Sequence, residues 1–211
     1  MLSHSKGFLA MNEKYKMPFD TTQTDIIVNA ELPETREISV VNKTLLAKIS
    51  SIIEGEVLYE NDTFYIVKSS GAKIAYPYEA EGFRKLGLLW KLIRNGLLES
   101  GSILFWDEPE WNINPEHLPV LVDILLTIQR NGVQIFVATH NYNLARYFDV
   151  LREKNDEIVF YNLSKQDGVM CCDKSAEYIK LTSSVLEKAD QALFDSVAKY
   201  VVENDNDKKN F

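Results

Sequence analysis

Residues Gly101 to His140 read GSILFWDEPEWNINPEHLPVLVDILLTIQRNGVQIFVATH, and the fold turns on this stretch. Ser102-Ile103-Leu104-Phe105-Trp106 is a short apolar run between Gly101 and the acidic pair Asp107-Glu108, with Pro109 behind it. An unbroken run of that length predicts a strand buried on both faces of a parallel sheet. Asn114 then supplies a helix cap, Pro115 a first helical position, and Glu116 a carboxylate near the positive end of the helix dipole. Leu118, Leu121, Val122, Leu125 and Ile128 recur at the spacing of one helical face, and Asn131-Gly132 closes the pattern where a left-handed cap belongs. Val133 to Ala138 reads as a second buried strand, ending in Thr139-His140. Strand, helix, strand predicts a right-handed crossover, so the polar residues fall at the carboxyl ends of two parallel strands. Open α/β sheets bind their ligands at that edge, and Asp107, Glu108 and His140 are expected to share one crevice there.

The residue types suit nucleotide hydrolysis. A strand-end Asp107 can hold Mg²⁺ on a triphosphate, and Glu108, one residue on, can face the other way and polarise an attacking water. Catalysis of this kind is mostly positioning and charge stabilisation, for which a rigid strand end is a good mount. His140 could then hydrogen-bond the terminal phosphate. The plain alternatives are a turn entry for the acidic pair, an ordinary strand-end histidine, and turn or cap roles for Asn112 and Asn114.

Phe105-Trp106-Asp107-Glu108-Pro109-Glu110 resembles the Walker B motif of ATP-binding-cassette-type ATPases. Asn112-Ile113-Asn114-Pro115 is similar to the D-loop that follows it, and Ala138-Thr139-His140-Asn141 to the switch-histidine loop. Glu79 to Gly87 (EAEGFRKLG) sits where that family has its signature motif, with 25 residues from Gly82 to Asp107. The resemblance covers roughly residues 70–165 and lies nearest the soluble AAA-type group akin to recombination and chromosome-maintenance ATPases. It implies ATP and Mg²⁺ as cofactors, Asp107 on the metal, Glu108 as catalytic base, and His140 as switch residue. It also implies that Glu81, Gly82, Asn112 and Asn114 face nucleotide across a head-to-tail dimer.

The signature departs from Leu-Ser-Gly-Gly, keeping Gly82 with Glu81 before it. A phosphate-binding loop needs a Gly-Lys pair, and none of the nine glycines precedes a lysine. In the family that loop lies upstream of the signature. The resemblance therefore implies a three-layer α/β sheet of the P-loop NTPase type, with helical and antiparallel β segments at the N-terminus and the N-terminal nucleotide-binding half missing. The expected partners are a second copy of the chain or a segment bearing the missing loop, and the isolated chain is expected to bind ATP poorly.

At 211 residues, with 45% hydrophobic and 26% charged residues, the composition is that of an ordinary globular protein. No apolar run reaches the ~18 residues of a membrane helix, and the N-terminus lacks a signal-peptide core, so the expected place is the cytoplasm. Cys171 and Cys172 are adjacent, with neither disulfide nor zinc spacing. A formal charge of −8 does not indicate nucleic-acid binding. Arg84, Lys85, Lys91 and Arg94 cluster on one predicted helix and read as a solvated face.

In chain order, the patterns predict a helix over 3–16, an unassigned stretch over 19–33, and an amphipathic helix over 35–54 using Ile38, Val41, Leu45, Ile49 and Ile52. Val57–Tyr59 and Thr63–Lys68 read as a hairpin around Glu60-Asn61-Asp62, followed by a strand at Lys73–Tyr76 and a helix from Ala80 to Leu98. Beyond His140 come a helix to about Arg152, strands at Glu157–Leu163 and Val169–Cys172, and a last helix from Ser183 or Ser184 to about Val202. The expected organisation is 1–70 helical arm and hairpin, 71–165 ATPase core, 166–202 C-terminal strand and helix, and 203–211 frayed tail. Three functions fit: an ATPase half-site, a non-enzymatic dimerisation or regulatory module, and a metal-dependent nuclease using Asp107, Glu108 and Glu110.

Overall fold

The computed structural model describes residues 10–11, 13–15, 21–182 and 184–208. They form two compact units, residues 1–138 and residues 139–211. Of the helix expected over 3–16, residues 10–11 and 13–15 are helical, and the rest lies outside the described residues. The unassigned stretch holds helix α1 (Thr21–Glu31), whose Ile27 and Ala30 are fully buried.

Helix α2 (Val40–Ile53) starts at Ser39, whose hydroxyl accepts the Asn42 amide at 3.0 Å, so Ile38 lies outside it. Leu45, Leu46, Ile49, Ile52 and Ile53 bury its inner face. It stops at Glu54, which takes a left-handed conformation (φ +57°) and returns its N–H to the Ser50 carbonyl. Strands β1 (Gly55–Glu60), β2 (Thr63–Lys68) and β3 (Lys73–Ala75) form an antiparallel sheet in that order. Asn61 and Asp62 both have positive φ, as a two-residue hairpin turn requires.

Helix α3 (Glu81–Arg94) buries Leu86, Leu89, Trp90 and Ile93, and the Trp90 indole donates to the Ser50 hydroxyl of α2 at 3.0 Å. The basic cluster on α3 is not a solvated face. Lys91 is only 4% exposed and pairs with Glu34 at 2.8 Å, while Arg94 meets the same carboxylate at 2.9 Å. The cost of desolvating Lys91 is offset by that pairing.

The central prediction holds in its elements. Strand β4 (Ile103–Asp107), helix α4 (Leu118–Arg130) and strand β5 (Gln134–Ala138) follow one another, and β4 pairs parallel with β5 from Ile103↔Gln134 to Asp107↔Ala138. Asn114 caps a short 3-10 turn (Pro115–His117) that leads into α4, and Gly132 (φ +88°) ends the connection. Leu121, Val122, Ile124, Leu125, Leu126 and Ile128 are all buried, so α4 lies in the core.

The expectation of strands buried on both faces is overturned. Ile103, Phe105 and Phe136 are 55%, 74% and 46% exposed, and the two phenyl rings stack on the open face with centroids 4.7 Å apart. Apolar character marks a surface that can be covered, and among the described residues the parallel sheet has two strands with that face open.

In the second unit, Asn141 caps helix α5 (Tyr142–Leu151) by accepting the Leu144 amide at 3.0 Å. Strands β6 (Phe160–Gln166) and β7 (Val169–Ser175) form a hairpin through Asp167 and Gly168, both at positive φ. Ala145, Tyr178 and Leu181 make a small core with Tyr142 and Phe160 against it. Ser184 caps helix α6 (Val185–Lys208), accepting the Glu187 amide at 3.2 Å; Ser183 lies outside the described residues. Helix α6 continues past the expected end near Val202 to Lys208.

Candidate active site

The turn after β4 carries the acidic pair. Asp107 is exposed at the strand end, opposite Ala138 in the ladder, and Glu108 is half-buried. With Asp107 in solvent, the cost of a buried, cation-free carboxylate does not apply to it. The Glu108 amide donates to the Ala138 carbonyl at 2.8 Å, which extends the parallel ladder by one bond. Its backbone then breaks into the left-handed region at φ +43°, uncommon for a residue with a side chain and further restricted by Pro109. The Glu108 carbonyl accepts from the Trp111 amide at 3.1 Å and from the Lys85 ammonium at 3.2 Å, so both peptide groups flanking its Cα are held.

The far end of the turn is Asn112, also at positive φ (+62°). Its side-chain amide donates to the Glu81 carboxylate at 2.6 Å. Gly82 meets the same residue: a Cβ there would run into the Asn112 carbonyl oxygen and lie 3.0 Å from its carbon and 3.3 Å from Ile113 Cα. Gly82 is thus a close-approach glycine between the start of α3 and the turn. Asn114 donates to the Glu116 carboxylate at 2.6 Å and accepts its amide at 3.2 Å. A small cleft of about 210 Å³ lies between Ile52, Gly82, Phe83, Leu86, Ile113 and His117.

Six of the seven residues that the resemblance assigns to metal, catalysis or nucleotide, Glu81, Gly82, Asp107, Glu108, Asn112 and Asn114, therefore occupy the end of β4, the turn after it and the first turn of the helix beside it. The seventh, His140, is exposed and belongs to the second unit, two residues beyond β5 in the chain. There the Thr139 hydroxyl accepts the Asn141 amide at 2.9 Å, which sets up the start of α5. His117 is half-buried. Sequence reasoning missed Lys85 as part of this site. Its one signal is a position four residues after Glu81, on the same helix face.

Mg²⁺ is normally held by one or two carboxylates, with waters and phosphate oxygens completing the shell. An exposed strand-end Asp107 fits that demand. Among the described residues no group of three or more His, Cys, Asp or Glu side chains is placed to hold a metal ion by itself. Burial, with Glu79 adding to it, pushes the Tyr76 phenol up, and the Thr182 amide and hydroxyl hold the Asp173 carboxyl below its usual range.

The strand–helix–strand unit is that of an α/β protein, and its carboxylates lie at the carboxyl end of the parallel strands, where open α/β sheets bind ligands. Residues 11–146 match the family described as "AAA domain, putative AbiEii toxin, Type IV TA system", and the chain belongs to that family. It is a chain of the AAA type. No curated protein matches it by sequence.

Among solved structures, the chain is similar to the Smc head domain of Pyrococcus furiosus with an extended coiled coil, bound to the C-terminal domain of ScpA. Identity there is 13% and the TM-score 0.49, over 74% of this chain and 37% of that one. The Smc head domain of Pyrococcus yayanosii with a coiled coil and joint matches at 15% identity and TM-score 0.49, over 90% of this chain and 32% of that one. An SMC ATPase solved in work on ATP-driven dimerization and DNA-stimulated activation matches at 12% identity and TM-score 0.48, over 74% of this chain and 90% of that one. The chain thus spans about a third of the length of the two Pyrococcus chains. Among the described residues no helix is long and apolar enough to cross a membrane.

Proposed function

We propose that this chain is the C-terminal portion of an ATPase that binds and hydrolyses ATP with Mg²⁺ at a head-to-tail dimer interface. The observation that carries the reading is the built turn after β4, where Asp107 stands exposed and Glu108 is fixed by bonds to β5, α3 and its own turn. Asp107 is the carboxylate that would hold Mg²⁺, and bound Mg²⁺ neutralises charge on the phosphate oxygens. Glu108 orients the attacking water and accepts its proton. Gly82, Asn112 and Asn114 offer small side chains and amides to a nucleotide held by the opposing copy. Glu81 is drawn onto Asn112, which turns its charge away from an incoming phosphate. The motif order assigns His140 to the switch position.

No Gly-Lys loop occurs in the 211 residues. Each charge-assisted hydrogen bond such a loop would make to phosphate contributes ~1.5–3 kcal/mol, and every ~1.4 kcal/mol is tenfold in affinity. The chain alone is therefore a weak nucleotide binder whose partner is a loop-bearing segment. The open apolar face of Ile103, Phe105 and Phe136 supports a second reading, a non-enzymatic dimerisation or regulatory module. Calorimetric titration of Mg-ATP into the chain and its Glu108→Gln variant tests the proposal. Weak binding in both, lost in Asp107→Asn, is expected. Tight Mg-dependent binding by the isolated chain overturns it, and no binding at any concentration favours the second reading.

A further inference from the structure

We propose that Lys85 is the positioning residue for Glu108, holding the left-handed backbone from which the Glu108 carboxylate projects and tying it to the first turn of α3. The inference rests on the reading of Glu108 as the base. A residue with a side chain, placed before a proline, leaves a positive φ unless its surroundings over-determine it. Here the Ala138 carbonyl fixes the amide, and Trp111 and Lys85 converge on the carbonyl. Of these bonds, only the one from Lys85 comes from a side chain, and it is charge-assisted. Lys85 sits four residues after Glu81, which holds Asn112 at the other end of the same turn, while Gly82 lets the helix approach. One helix face thus grips both left-handed residues of the turn, so a displacement of the α3 start carries to Glu108.

The test is made on the full chain by NMR, without nucleotide, comparing it with Lys85→Met and Lys85→Arg. In Lys85→Met the Glu108 and Trp111 amides should exchange about tenfold faster, while α2 amides keep their rates. The Glu108 carboxyl carbon resonance, assigned by its loss in Glu108→Gln, should move. Lys85→Arg, which keeps a donor, should restore both. Unchanged exchange and resonance in Lys85→Met, loss of protection spread equally into α2, or an arginine variant that behaves like methionine each overturns the proposal. Because no nucleotide is present, such a failure leaves the Mg-ATP titration standing, and the reverse holds equally.

Discussion

Gly82→Ala is the sharpest probe of how the turn is built. The added methyl would meet backbone on every near side, the Asn112 carbonyl and Ile113 Cα, and none of those atoms is the flexible end of a side chain. Relief requires α3 and the turn to separate. Overpacking of that kind costs about 1–3 kcal/mol, and separation loosens the Asn112–Glu81 bond, a further ~0.5–1.5 kcal/mol. Replacing glycine in a helix returns at most ~1 kcal/mol. The net expectation is a loss of about 2 kcal/mol, which for a chain of this size lowers the melting temperature by roughly 4–8 °C. All three tryptophans, Trp90, Trp106 and Trp111, lie in residues 1–138, so intrinsic fluorescence follows the unit that carries the substitution. An unchanged or raised melting temperature would refute the close approach, and with it the claim that the helix start and the turn are one assembly.

Glu54→Gly removes a side chain from a left-handed helix cap and should stabilise the first unit by a few tenths to ~1 kcal/mol, seen as a higher urea midpoint at unchanged slope. Asp173 has its carboxyl held low by the Thr182 amide and hydroxyl. The stability it contributes is therefore present above the unfolded carboxylate pKa and lost as pH falls through the lower folded value. Asp173→Ala should accordingly weaken protection of the Thr182 amide at neutral pH and match the parent chain in acid below that folded value; an equal difference at both pH values would contradict the assignment.

Local chemistry made much of this legible. Asn114-Pro115 and Gly132 punctuate α4, Asn61-Asp62 and Asp167-Gly168 form the hairpin turns, and Asn141 and Ser184 start α5 and α6. Each of those signals acts within a few residues. Helix α1 went unread because Ile27 and Ala30 are its fully buried apolar residues, too few for a periodic stripe. The acidic turn was found, but its conformation was not, since a left-handed Glu108 depends on bonds from β5 and α3 that no local pattern encodes. Lys91 reads as a surface cation until Glu34, distant in sequence, is placed against it. The open face of β4 and β5 failed for a related reason. An apolar run records what a strand tolerates as cover, and Ile103, Phe105 and Phe136 remain exposed.

Whether Asp107 is where nucleotide-bound metal sits can be read even when affinity is weak, by adding Mn²⁺-ATP at millimolar concentration and mapping paramagnetic broadening along the chain. The account predicts losses centred on 106–109 and on Val137 and Ala138 across the ladder, abolished in Asp107→Asn. Broadening that settles elsewhere, or that persists undiminished in the variant, would contradict it.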